Sequence, residues 1–465
     1  MTFRFPRRAL LRGAAGTYIT IAGISVADAL SARPAHATTL ATPESSSLPT
    51  TYYVSASGSD DNDGTTPQQP WATVQKANTS VAAGPNTILF RRGDEFYGQL
   101  VLPFGCGVGA YGDGAKPVLT MYKRLNRPTG WVEQSPQIWK IDLNAKGTHD
   151  GYIATSDANI GFLVVDGIVK AAMKFSLSDL TAPWDFFCDI ENHTLFVKAT
   201  QNPTSMANDI RAAPNGDSYG ASSAIICCDK GSNYVRDIHI TGTGGCGIRG
   251  VGADVQIQHC VIDFIGGSLL RGHASGTTRY GNGIENWPHA MRWLIEENEI
   301  AHVYDVAWSP QGTDRGGGEI SWQDLTVRNN HIHDCGQSVE LWSETSNANS
   351  PGFVRILFEN NRCERAGYGA FADVRPDQDR RVHLLTYRLQ THVEITIQNN
   401  VFDDAYGAYS YHAFEPPAGY VTMNNLIRLK PGRKMEFQRS ETVEQASAWI
   451  AATGREQGSD ISILS

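Results

Sequence analysis

The sequence predicts an all-β solenoid, a parallel β-helix, from two observations. A short phrase in which alternating apolar and polar residues lead into Asn-Asn recurs between residues 257 and 425, most clearly at 327–332, 358–363 and 397–402. Recurrence of this kind indicates a repeat architecture, and the alternation is typical of strands rather than helices. A single strand with an Asn turn cannot bury its apolar side alone, but stacked copies can.

The fourth residue of each phrase is predicted to form a ladder along the stack. It stands at Asn298, Asn330, Asn361 and Asn400, and a shortened copy adds Asn425. In stacked coils these side chains lie one above another, where each amide can donate to one neighbour and accept from the other. Asn also suits the turn itself, because it tolerates left-handed backbone and bonds its own chain.

The first half of the chain is predicted to contain capped coils and an insertion. Residues 51–125 form the first coils, and a short helix near residues 72–82 covers the open end, where strand edges would otherwise be exposed. Residues 126–215 break the rhythm of the repeat and include a hairpin-like stretch at 189–197. We therefore expect a β-rich insertion over this segment.

The second half is predicted to return to coils and then to close. Coils occupy residues 216–430, and residues 431–465 form a C-terminal cap. The helix of this cap begins at a capping box made by Thr442 and Gln445 and ends at Gly454. We expect this segment to cover the end of the solenoid rather than to bind a ligand.

The opening coil and the Asn phrases carry a resemblance to a known group. The stretches YYVSASGSD at 52–60 and PWATVQKA at 70–77, together with the repeat, resemble the right-handed parallel β-helix proteins of the pectate-lyase-like superfamily, in particular its secreted polysaccharide-active members. The resemblance extends from about residue 52 to the C-terminus. It implies a right-handed fold but little about the reaction, because this fold carries lyases, hydrolases, epimerases and adhesins.

The N-terminal segment, residues 1–37, is predicted to be an export signal peptide. Arginines precede an apolar stretch, and Ala-His-Ala at its end supplies the small residues of a cleavage site. Arg7-Arg8 resembles a twin-arginine signal, with a general secretory signal as the alternative. Residues 38–50 form a flexible lead. We expect an exported protein, periplasmic or extracellular, with no membrane span.

Charge and cysteine content limit the kinds of partner and metal that we expect. The net charge of −9 argues against a nucleic-acid partner. The eight cysteines contain no Cys-x-x-Cys pair, which argues against zinc, and their spacing does not determine any disulfide pairing. We expect no cofactor and no metal. Calcium is the alternative, because residues 60–64 are rich in carboxylates, but they lack the distant Glu of an EF-hand and Asx turns explain them better.

A second strand in each coil is predicted to carry the functional side chains. Counting ten and twelve residues on from each ladder Asn gives two outward columns, with apolar residues between them on the core side. The first column consists of Trp308, Glu340, Phe371 and Ser410, and the second of Pro310, Trp342, Asp373 and His412. Aromatic platforms beside acidic acceptors suit sugars, whose rings have apolar faces and many hydroxyls.

Three short stretches extend the candidate site. GIENW at 283–287, VAWSPQG at 306–312 and SVELW at 338–342 resemble stretches of β-helix proteins that are considered glycan-active. The resemblance covers Glu285, Trp287, Asp305, Gln311, Glu340 and Trp342. Structural roles are the alternatives, such as loop packing for Trp308 and Trp342, turn capping for Asp305 and an ion pair of Glu340 with an arginine such as Arg375 or Arg315.

The candidate catalytic residues are Glu340, Asp373, Asp305 and Glu285. Coil spacing places Glu340 and Asp373 roughly 8 Å apart at the backbone, a separation that suits two carboxyls with a water between them. Glu340 is predicted to be the general acid, because neighbouring aromatic residues desolvate it, and Asp373 the general base, with the other two in reserve. The candidate substrate-binding residues are Trp287, Trp308, Trp342, Phe371, Gln311, Arg375 and His412.

These residues predict a secreted glycoside hydrolase that degrades a polysaccharide or oligosaccharide. One alternative is a polysaccharide lyase or uronate epimerase, with Arg375 or His412 as base. Another is a glycan-binding surface protein without catalysis. The sequence does not indicate which glycan is bound, whether the anomeric configuration is retained or inverted, or which oligomeric state the protein adopts.

Overall fold

The computed structural model describes residues 49–216, 223–273, 275–314, 318–376 and 380–464. The predicted export signal lies outside these residues, as does most of the predicted flexible lead. Within them the chain winds through three sheets of parallel strands, and each strand pairs with the equivalent strand of the next coil. The predicted all-β parallel β-helix is therefore confirmed. In the described part of the chain, no helix is long and apolar enough to cross a membrane.

The three sheets run the length of the solenoid. The strands of the first sheet, in spatial order, are Thr51–Val54, Thr87–Arg91, Gly107–Tyr111, Tyr234–Arg236, Ala253–Gln258, Met291–Glu296, Ser321–Arg328, Gly352–Glu359, Val393–Gln398 and Tyr420–Met423. Those of the second are Glu95–Tyr97, Val118–Thr120, His239–Thr243, Val261–Ile265, Glu299–Val303, His331–His333, Arg362–Ala366, Val401–Ala405, Leu426–Leu429 and Asp460–Ile463. Those of the third are Leu100–Val101, Ala224–Cys227, Cys246–Gly250, Ile284–Asn286, Val306–Thr313, Gln337–Glu344, Val382–Leu389, Ala408–His412 and Lys434–Glu436.

The predicted Asn ladder joins the first and second sheets. Asn298 donates from its side-chain amide to the amide oxygen of Asn330 at 3.0 Å, Asn330 to Asn361 at 2.9 Å, and Asn361 to Asn400 at 3.1 Å. Asn400 continues to Asn425 at 3.1 Å. All five residues are buried. The ladder is therefore confirmed, and it satisfies polar groups that the stacked turns would otherwise leave without partners.

The residue before each ladder Asn adopts the left-handed conformation. These residues are Glu297, Asn329, Asn360, Asn399 and Asn424, with φ between 53° and 57°. The two residues of each Asn pair thus have different tasks. The first makes the turn at the surface, where a short polar side chain lowers the strain, and the second points inward to the ladder.

The segment after the first coils forms two further sheets that are mainly antiparallel. One contains Asp150–Gly151, Lys123–Arg124, Ile210–Pro214, Ile160–Val165 and Ile168–Lys170. The other contains Met173–Lys174, Phe186–Asp189, Thr194–Lys198, Ile138–Asp142 and Trp131–Ser135, and its middle strands form the predicted hairpin. They enclose an apolar core of their own. A small hairpin from the coils, Ser268–Leu269 with Arg279–Tyr280, completes this region.

Short helices and 3-10 turns connect the strands, and two of the helices, α1 and α3, lie near the ends of the solenoid. Helix α1 is Val74–Ser80, α2 is Pro203–Met206 and α3 is Ala446–Thr453, and the 3-10 turns are Pro128–Gly130, Leu177–Asp179, Ala372–Val374 and Val443–Gln445. The predicted capping box between Thr442 and Gln445 is present, and Gly454 ends α3 with φ 69°. Helix α1 buries Val74 and Ala77 against the first coils. All eight cysteines are buried free thiols.

Candidate active site

The site lies on the outer side of the third sheet. Glu285 pairs with Ser309 in the next coil, and Glu340 pairs with Leu385. Pairing of Trp308 with Val339 places Ser309 beside Glu340, and the Ser309 hydroxyl donates to the Glu340 carbonyl at 3.1 Å. Glu285 and Glu340 therefore share one column two coils apart, about 9.6 Å at the backbone for ~4.8 Å per coil.

The strand that carries Glu340 alternates as predicted. Val339 and Leu341 belong to the solenoid core. Glu340 and Trp342 project from the opposite face into a cavity. The alternation predicted for this strand is therefore confirmed.

Glu285 is held rigidly by neighbouring donors. Its carboxyl accepts from the side-chain amide of Asn282 at 2.9 Å, the indole of Trp287 at 2.8 Å and the side-chain amide of Gln311 at 2.8 Å. The side chain is 1% exposed. Burial raises the pKa of Glu285, and the bonds from Gln311 and Trp287 act in the opposite direction. These hydrogen bonds hold the Glu285 carboxyl in place, and Asn282, Trp287 and Gln311 each use a donor on it.

Glu340 has a different environment. It is 7% exposed, and none of the described residues hydrogen-bonds to its carboxyl. Burial raises the pKa of Glu340 well above its usual range, and the negative charge of Asp305 adds to this effect. The charge of Arg375 opposes it. A desolvated carboxyl beside another acid favours its protonated form, which can donate a proton.

Asp305 lies in the turn between the second and third sheets and forms an ion pair. Arg375 donates from one guanidinium nitrogen to the Asp305 carboxyl at 2.8 Å and to the Tyr304 carbonyl at 2.8 Å. The Arg375 side chain is buried, whereas Asp305 is partly exposed to the cavity. Arg375 thus pairs with Asp305 rather than with Glu340, and Arg315, the other partner considered for Glu340, lies outside the described residues.

The three carboxyls line one cavity of about 670 Å³. Trp287, Gln311 and Trp342 form its wall two residues further along the strands. Of the predicted site residues, the cavity gathers Glu285, Asp305, Glu340, Trp287, Trp342, Gln311 and Arg375. Flat indole faces beside buried acids are a surface on which a sugar ring can lie.

Trp308 was predicted to line this wall, and that prediction is wrong. Its side chain is 1% exposed, stacks on Phe358 with ring centroids 5.9 Å apart, and donates from the indole to Asn286 at 2.8 Å. The count from the ladder Asn is one residue short in this coil. Because strand side chains alternate, a shift of one residue moves the side chain to the other face.

Phe371 and Asp373 were predicted to extend the same two columns, and the structure places both elsewhere. They lie in the long segment that separates Arg362–Ala366 from Val382–Leu389, so a count of fixed length falls on a loop. Phe371 is buried between Phe162 and Tyr304, with ring centroids 5.2 and 5.9 Å away. Asp373 is exposed and lies outside the cavity.

His412 also lies outside the cavity. It pairs with Thr386 and exchanges a side-chain hydrogen bond with the Thr386 hydroxyl at 2.8 Å. Burial lowers the pKa of His412 well below its usual range, and the charges of Arg455 and Arg439 lower it further. Its placement therefore does not support the predicted role in substrate binding.

Several residues that line the cavity were not predicted. They are Arg279 and Tyr280 of the small hairpin, Asn282 just after it, and Arg380, Tyr387, Arg388 and Phe414 from the later coils. Arg279 donates to the carbonyls of Gly267, Gly161 and Ala171, at 2.6, 2.7 and 3.1 Å, and so fixes the small hairpin. The neighbouring residues Tyr387 and Arg388, on a strand of the repeat, could have been found by pairing that strand with Trp342 rather than by counting.

The acidic cluster near the N-terminus has a structural role. One carboxyl oxygen of Asp60 accepts from the backbone of Ala72 at 2.9 Å and of Thr73 at 3.0 Å. Asp63 accepts from the backbone of Thr65 at 2.7 Å. The Asp63 bond is an Asx turn, whereas Asp60 ties the loop to residues 72 and 73, so two of the carboxylates that prompted the calcium alternative are engaged by backbone donors. Among the described residues, no group of three or more His, Cys, Asp or Glu is placed to hold a metal ion.

No protein-family model matches the chain, and no curated protein sequence matches it. A structure of XylC with xylose is 14% identical over 83% of this chain and 69% of its own, with a TM-score of 0.41. The lacto-N-biosidase of GH136 from Eubacterium ramulus is 12% identical over 89% and 68%, with a TM-score of 0.38. A further structure, named as a glycoside hydrolase, is 9% identical over 89% and 96%, with a TM-score of 0.39. At these values the likenesses carry no argument about substrate or reaction.

Proposed function

We propose that the protein is an exported glycoside hydrolase that cleaves a polysaccharide or oligosaccharide in this cavity. The observation that carries the proposal is the meeting of three carboxyls, Glu285, Asp305 and Glu340, beside two partly exposed tryptophans. Hydrolysis of a glycosidic bond needs one carboxyl that donates a proton and another that remains ionised. Glu340 is buried with a raised pKa, whereas Asp305 is ion-paired with Arg375, so the two carboxyls differ in the way that this reaction requires.

Glu340 is assigned as the general acid. Burial and the neighbouring Asp305 raise its pKa, so the carboxyl keeps its proton at a pH where an exposed Glu has lost it. Its carboxyl faces the cavity without a bond from the described residues, so the proton is available to the oxygen of a leaving sugar.

Asp305 is assigned as the general base in place of Asp373, which lies outside the cavity. The ion pair with Arg375 provides a suitable setting for an ionised carboxylate, and its partial exposure gives a water access to it. Glu285 is assigned a positioning role, because its donors fix it and it in turn orients Trp287 and Gln311.

The sugar is assigned to the surface formed by Trp287 and Trp342. The side-chain oxygen of Asn282 is buried in the cavity wall and accepts no hydrogen bond from the described residues. It is an acceptor that a sugar hydroxyl could satisfy. Gln311 lies between the two tryptophans in the cavity wall, because it stands opposite Trp342 in the next coil.

The test is an activity screen of the purified protein on a polysaccharide panel, following new reducing ends and, separately, the ultraviolet absorbance of unsaturated uronates. We expect reducing ends without unsaturated product. The Glu340→Gln variant should then lose activity by about 10²–10⁴ while its circular dichroism is unchanged. Asp373→Asn is the matched control, because it also removes one carboxylate but lies outside the cavity. Full activity of Glu340→Gln would reject the assignment.

A lyase is the second candidate, and one observation favours it. Arg375, Arg380 and Arg388 line the same cavity as the acids, and a lyase needs cations to neutralise a uronate before proton abstraction. An unsaturated product in the screen would establish this alternative. Tight glycan binding without either product would instead favour a binding protein.

A further inference from the structure

The cavity continues beyond the acids into a second, smaller cavity of about 260 Å³. The two cavities share Tyr387, Arg388 and Phe414 in their walls. Tyr387 and Arg388 belong to the strand that follows the Glu340 strand, and Phe414 comes just after the next one. The groove therefore extends along the solenoid axis by at least one coil, away from Glu285.

Arg388 lies at the junction of the two cavities. Its guanidinium is 4.9 Å from the centre of the Phe414 ring, and its ion-pair partner Glu344 is 3.9 Å away, at the outer limit for such a pair. More than a third of the Arg388 side chain is exposed, and Phe414 is 53% exposed. A pair this long leaves most of the donor capacity of the guanidinium available to a ligand.

The acid nearest to the smaller cavity is already neutralised. Glu415, in its wall, forms ion pairs with Arg455 and Arg439. Its remaining wall contains the uncharged side chains of Leu389, Gln390, Pro416 and Pro417. The end of the groove thus combines one available cation with apolar surface, in contrast to the acidic end at Glu285 and Glu340.

We propose that Arg388 and Phe414 form a subsite for an anionic sugar residue of the substrate, one that carries a carboxylate or a sulfate ester. The inference rests on the proposed glycan-cleaving function and names its substrate class. The planar guanidinium can bind two oxygens of such a group in parallel, whereas Phe414 and the adjacent prolines offer an apolar surface to the ring. Hydrogen bonds to charged groups contribute about 1.5–3 kcal/mol, or roughly 10- to 100-fold in affinity.

The test measures binding rather than turnover, by calorimetry on the Glu340→Gln protein. The probes are tetrasaccharides of galacturonate and of mannuronate with their carboxyl-reduced counterparts, and a sulfated galactan tetrasaccharide with its desulfated counterpart. We expect at least one acidic probe to bind about 10- to 100-fold more tightly than its uncharged counterpart. Tighter binding of a uronate assigns the charge to a carboxylate, and tighter binding of the sulfated galactan assigns it to a sulfate ester.

The Arg388→Gln change, added to the Glu340→Gln protein, should abolish the preference for the charged probe. Arg388→Lys should restore part of it, because a lysine supplies charge without the planar fork. Arg91→Gln, at an exposed arginine of the first sheet, is the control and should change nothing. Equal binding of charged and uncharged probes, or equal weakening of both by Arg388→Gln, would overturn the proposal. Because no turnover is required, an active Glu340→Gln enzyme would refute the acid assignment alone.

Discussion

Replacing Asn361 by Ala tests how much the ladder stabilises the fold. The Asn361 side chain makes four hydrogen bonds: it accepts from the backbone and side chain of Asn330 at 3.0 and 2.9 Å, and it donates to Val327 and Asn400 at 3.0 and 3.1 Å. Truncation leaves the buried backbone N–H of Asn330 without its partner, at a cost of about 1–3 kcal/mol, and removes further bonds worth about 0.5–1.5 kcal/mol each. With three such bonds, we expect the free energy of unfolding to fall by about 3–7 kcal/mol.

The matched control is Asn360→Gly, one residue earlier. Asn360 is exposed and left-handed with φ 55°, a conformation that Gly adopts without strain, so its loss should cost less than about 1 kcal/mol. Urea unfolding followed by tryptophan fluorescence compares the two variants with the parent protein. If the free energy of unfolding falls by no more in Asn361→Ala than in Asn360→Gly, the ladder bonds contribute little to stability and the argument from unpaired donors fails.

Three further predictions concern Glu340 and two of the tryptophans. Because the pKa of Glu340 is raised in the folded state, the folded protein loses stability as pH rises above the ordinary carboxyl pKa; Glu340→Gln should therefore melt at a higher temperature than the parent protein at pH 8, with the difference disappearing near pH 4. Trp308→Ala should destabilise the protein by about 3–5 kcal/mol in urea unfolding, because it empties part of the core. Trp342→Ala should leave the melting temperature nearly unchanged and raise KM about tenfold, since it removes a partly exposed side chain from the cavity wall. The opposite pattern in these two variants would reverse their assigned faces.

The fold was predictable because the residues that form the ladder also make the repeat visible in the sequence. Each ladder side chain accepts through one atom and donates twice through another, which requires an amide, and Asn is the shorter of the two amide side chains, so Asn330, Asn361 and Asn400 stand out in the sequence. The separate conformations within each Asn pair were not visible, because a sequence shows that Asn tolerates left-handed backbone but not which of two neighbours adopts it. Only the hydrogen bonds of the stack distinguish them.

The candidate site was less predictable, because its register depends on turns outside the repeat. Glu340 stands ten residues after its ladder Asn, but its partner Leu385 stands 24 residues after Asn361. Glu340 and Trp342 were placed correctly since alternation within one strand is local. Trp308 and Asp373 were not, because their positions required the length of a turn and of a loop that the strands themselves do not determine.

In each coil, the corner that carries the stabilising Asn ladder is separate from the corner at which the connection can vary in length. The ladder closes the corner between the first and second sheets, whereas Arg375 comes from a segment inserted at the corner between the second and third. Changes in length at that second corner therefore leave the Asn stack in register. A designer could exchange the 366–382 connection for one of another length and chemistry, and so alter the wall of the cavity, while the solenoid serves as a constant frame.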